Sequence, residues 1–88
     1  MKIKDGFMLS GVAGSYVVVP VGAVQAGFTG MITLNPVGAF LWGKLEKETT
    51  RDELLKSVLS QYDTDEKTAA QDIDRYLEKL RKNGLLEE

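Results

Sequence analysis

The 88-residue sequence contains no cysteine, no histidine and only two prolines. Without cysteine there are no disulfides, thiolate metal sites or cysteine nucleophiles, and the chain suits a reducing compartment. Without histidine the usual general base is missing. Long apolar runs are also lacking. No stretch approaches the roughly 18 apolar residues of a spanning helix, and the start, "MKIKDGFMLSGV", has two lysines but no sustained apolar segment. The expected location is therefore cytoplasmic, with no membrane partner. Nor is there an excess of one charge. With 11 basic and 13 acidic side chains the net charge is −2, which gives no global attraction to nucleic acid or anionic lipid.

Catalytic and metal signatures are missing as well. The chain has no G-x-S-x-G, P-loop or HExxH pattern, and its glycines do not form GxGxxG. Asp63 and Asp65, or Asp72 and Asp74, are carboxylate pairs on paper, but i,i+2 positions diverge on a helix and are solvated in a turn. The Asp63, Asp65 and Glu66 run lacks the spacing and glycine of a calcium loop. We therefore expect no catalytic residue, no metal and no cofactor.

What is present is an ordinary globular composition, 43% apolar and 27% charged, in a length that suits one domain over residues 1–88 with one modest core. Two β-rich runs, Phe7 to Val12 and Ser15 to Val21, flank Ala13-Gly14 and predict a hairpin. Pro20 should end the second strand or face an unpaired side. The glycine-bearing "VGAVQAGFTG" reads as an irregular loop, pinned to the core by Phe28.

The next stretch, "GMITLNPVGAFLWGKL", changes period in its middle. Met31 and Thr33 alternate with Ile32 and Leu34 as in a short strand; then Val37, Phe40, Leu41 and Leu45 recur at steps of three and four, as on an amphipathic helix. Asn35 is the expected N-cap and Pro36 the first-turn residue. A second helix opens at "TRDE", where Thr50 and Glu53 have capping-box spacing, and presents Leu54, Leu55, Val58, Leu59 and Tyr62. A third runs from Thr64 or Asp65 to Asn83 with the stripe Ala70, Ile73, Leu77 and Leu80, closed by Gly84 and a clasp of Leu85 and Leu86. Trp42 reads as a core anchor, whereas Tyr76, at the edge of the last stripe, either faces a groove or seals the core.

Strands first and helices after predict an α+β fold, a small antiparallel three-stranded sheet followed by a three-helix bundle, in a winged helix-turn-helix-like arrangement. That architecture often binds DNA. Here the third helix carries five acidic and five basic residues between Asp65 and Lys82, with the acidic ones dominating its start, so its face is neutral. Acidic residues near a helix start and basic ones near its end, as in "RYLEKLRK", complement the helix dipole.

"ITLNPVGAFLWGKL" and the following "TRDELLKSVLSQYDTDEKTAAQDIDRYLEKLRKNGLL" resemble the PqqD family, the coenzyme PQQ synthesis protein D-like domains, from Met31 to Leu86. The resemblance rests on order and spacing: a strand ending in L-N, a helix carrying "AFLW", an E-L helix, "YD", an acidic cap and a closing "GLL". It implies a peptide-binding carrier, a RiPP recognition element. Such a domain binds the leader of a ribosomally synthesised precursor peptide by strand addition and presents it to a modifying enzyme such as a radical SAM protein. Carried over by position, the leader's backbone pairs with Gly30, Met31, Ile32, Thr33 and Leu34, and the strand's unburied face supplies pockets. Helical spacing adds Asp72, Tyr76 and Lys79 on one flank of the third helix. Two alternatives stay open: a winged-helix DNA-binding module, and a structural module that self-associates into a homodimer through the same strand.

Overall fold

The computed structural model describes residues 1–12, 15–21 and 32–88. Its sheet is antiparallel, built from β2 (Phe7–Val12), β3 (Ser15–Pro20) and β4 (Ile32–Leu34) in the order β2-β3-β4. Met8 pairs with Val19 and Gly11 with Tyr16 across the hairpin, and Val18 pairs with Ile32 and Tyr16 with Leu34 on the other side. Pro20, which has no N–H to donate, is the last residue of β3 and among the described residues is paired only with β2, opposite Phe7. The expected hairpin and short strand are thus present. Ala13, Gly14, the "VGAVQAGFTG" loop with Phe28, and Met31 lie outside the described residues.

The three helices begin where their caps predict. Asn35 accepts from the Gly38 N–H at the start of α1 (Pro36–Leu45), Thr50 from Glu53 at α2 (Arg51–Gln61), and Asp65 from Thr68 at α3 (Glu66–Lys82). The end of α3 is a Schellman motif: Leu85 N–H donates to Leu80 C=O, Gly84 N–H to Arg81 C=O, and Gly84 takes φ +70°. That turn folds Leu85 and Leu86 back into the core.

The core joins Val18, Ile32 and Leu34 of the sheet to Leu41, Trp42 and Leu45 of α1, Leu54 and Val58 of α2, and Ile73, Leu77 and Leu80 of α3. Trp42 is 2% exposed, the core anchor expected of it. On α3 the first buried position is Ala69, not Ala70, because the stripe runs 69, 73, 77, 80 with steps of four before its final three. A second feature carries no periodic signal. β1 (Lys2–Ile3) pairs antiparallel with β5 (Leu86–Glu87), placing Ile3 opposite Leu86 and adding a two-stranded sheet beside the expected three. The fold is α+β. No helix among the described residues is long and apolar enough to cross a membrane.

Candidate functional site

Three elements meet at β4. The strand buries Ile32 and Leu34 and turns Thr33 outward. Asn35 follows at once as helix cap, so α1 starts directly against the strand's end. α3 then crosses alongside, and Gly38 explains how closely it approaches. A Cβ on Gly38 would meet Leu34 Cβ at 3.2 Å, Tyr76 Cε1 at 3.3 Å and Asn35 Oδ1 at 3.4 Å, a tight fit that any larger residue could take only if these groups gave way by a few tenths of an ångström.

Two side chains of α3 fasten it there. The Tyr76 hydroxyl donates to Gly38 C=O at 2.9 Å. Burial pushes its pKa up, so it remains a protonated donor. Lys79 Nζ donates to Thr33 C=O at 3.1 Å. Neighbouring strands stand only about 4.8 Å apart, so an ammonium reaches such a carbonyl from outside the ladder. Among the described residues β4 has only β3 beside it, which places it at the edge of the three-stranded sheet.

Beside this edge lies a groove of about 340 Å³ between α1 and α3, lined by Asn35, Val37, Gly38, Leu41, Asp72, Arg75, Tyr76 and Lys79. It shares Val37, Leu41 and Asp72 with a smaller pocket of about 150 Å³ that continues toward Val58, Tyr62, Ala69 and Ile73. The groove therefore combines a polar mouth carrying both signs of charge with an apolar inner end, next to a strand edge whose Thr33 carbonyl is met by Lys79. In strand addition generally, an extended chain pairs its backbone with a strand edge and seats side chains in hollows beside it.

The structure brings Asp72, Tyr76 and Lys79 to one groove and places Thr33 at its rim. The side chains of Ile32 and Leu34 are in the core. Gly30 and Met31 lie outside the described residues. Asn35 and Val37, expected as a helix cap and a stripe residue, also line the groove, as do Gly38 and Arg75, which the sequence does not mark for it. Arg75 was within reach, being three residues from Asp72 on the same helix, but nothing in the sequence shows that α1 forms the opposite wall. Among the described residues no group of three or more His, Cys, Asp or Glu is placed to hold a metal ion.

The family model for coenzyme PQQ synthesis protein D (PqqD) matches residues 15–86. No curated protein matches the chain by sequence. A solved structure of TbiB1 in complex with the TbiA(beta) leader peptide is similar at 26% identity and a TM-score of 0.78, covering 99% of this chain and 95% of that one. Lasso peptide synthetase B1 complexed with the leader peptide shares the fold, with 17% identity, a TM-score of 0.73, and coverage of 96% and 93%.

Proposed function

The chain belongs to the PqqD family, and on that premise we propose that it binds the leader of a ribosomally made precursor peptide by strand addition at β4 and presents it to a modifying enzyme. It acts as a binding partner of that enzyme, with no chemistry of its own. The observation that carries this reading is the edge strand Ile32–Leu34 flanked by the α1–α3 groove, in a fold similar to that of TbiB1, which is solved with a leader peptide. The peptide's backbone pairs with residues 30–34. Its side chains enter the groove past Asp72, Tyr76 and Lys79.

An NMR titration of isotope-labelled protein with leader peptides encoded beside it tests the reading. We expect shifts confined to the β4 amides and to α3, with the strand amides gaining protection from exchange. If saturating peptide leaves those amides unmoved while dilution alone shifts them, the edge pairs with a second copy of the chain and the carrier function is wrong.

A further inference from the structure

The basic cluster near the end of α3 is only partly explained by the helix dipole. Lys79 and Lys82 lie in the last turn, where cations complement the C-terminal carbonyls, but Arg75 is seven residues before the end, beyond the reach of that effect. Arg75, Lys79 and Lys82, at i, i+4 and i+7, form one exposed row on the flank of the helix beside β4. The acidic residues interleaved with them are engaged elsewhere. Asp74 is held by Arg51 through two contacts, at 2.6 and 3.1 Å, and Glu78 lies 3.7 Å from Arg81. Arg75 and Lys82 have no partner among the described residues, and the partner of Lys79 is the Thr33 carbonyl. A row of cations therefore borders the strand edge in a chain whose net charge is −2.

We propose that the segment accepted by this edge is acidic, with carboxylates at alternate positions meeting Arg75 and Lys79, and that Lys79 releases the Thr33 carbonyl to meet them. The inference rests on the strand-addition reading above and names the class of peptide. Spacing supports it: four helical residues rise about 6 Å, and same-face residues of a strand repeat about every 6.7 Å, so adjacent cations and alternate carboxylates are in step. Asp72, one turn before Arg75, limits the acidic stretch, because a carboxylate placed there meets like charge. In the free protein the Lys79 ammonium covers a carbonyl at the edge, which discourages pairing with any strand that offers it no anion in exchange.

The test selects random twelve-residue displayed peptides on the immobilised full-length chain and on the R75Q/K79Q/K82Q variant, whose three changes are at exposed positions. Wild type should enrich peptides that protect the Thr33 amide, which faces away from β3, and that carry Asp or Glu two residues apart. One such peptide should bind the variant about tenfold more weakly and lose affinity as salt rises. Its Glu→Gln version should bind K79M at least as well as wild type, since no ammonium has to leave Thr33. Peptides that protect the strand without acidic enrichment, or that bind the variant equally well, overturn the acidic assignment and leave strand addition standing. If no peptide protects the strand, both readings fall. Salt-sensitive binding of duplex DNA that the variant abolishes makes the row a nucleic-acid surface instead, and also overturns the proposal.

Discussion

Gly38 and Gly43 lie on the same helix and should respond oppositely to the same substitution. At Gly43 an added Cβ meets nothing within 4 Å, so Gly43→Ala gains helix propensity alone, about 0.5–1 kcal/mol, read as a higher urea midpoint. At Gly38 the added methyl presses on Leu34 Cβ, which is anchored to the β4 backbone and cannot swing aside. Overpacking outweighs propensity there, and Gly38→Ala should destabilise by about 1–2 kcal/mol. Tyr76→Phe tests the other contact at this junction. Losing the hydroxyl's bond to Gly38 C=O should cost about 1 kcal/mol by the same measurement. The role of Gly38 was not legible in the sequence, because it depends on a residue 38 positions away.

At the scale of elements, what could be read beforehand is what local chemistry decides. Asn35, Thr50 and Asp65 each announce a helix start, because a side-chain oxygen that caps a free N–H needs only its own next three residues. Gly84 announces an end for a similar reason, since it alone relieves the strain of a positive φ. β1 and β5 gave no such sign: two residues are too few to show alternation, and their pairing joins opposite ends of the sequence. Ile3 was equally silent, yet it is 7% exposed against Leu86. Ile3→Ala should destabilise by about 2–4 kcal/mol in urea unfolding, as for a core site. The candidate site divides along the same line. The strand and one helix flank were readable from period and spacing, but the α1 wall, with Val37 and Gly38, required the three-dimensional meeting of elements.

For the whole molecule the lack of histidine becomes a statement about pH. No side chain with an ordinary pKa near 6.5 is present to charge between pH 7 and 5, so thermal stability should be flat across that range. Below it three carboxylates matter. Hydrogen bonding from Thr68 lowers Asp65, Arg51 lowers Asp74, and Arg81 lowers Glu88. Each folded pKa lies under its unfolded value, so the stabilisation is complete above the ordinary carboxylate range and is lost as pH falls through the folded values. Calorimetry should show Tm beginning to fall below about pH 4, and Asp74→Asn should reduce the fall. All three groups are exposed, so the slope should be shallow.

Lys2 and Glu87 are register partners across the β1–β5 pair, so their Cα atoms stand only about 5 Å apart, on elements that take no part in lining the groove. Entry and exit of the polypeptide are thus side by side. The two ends of the fold therefore do not crowd the groove.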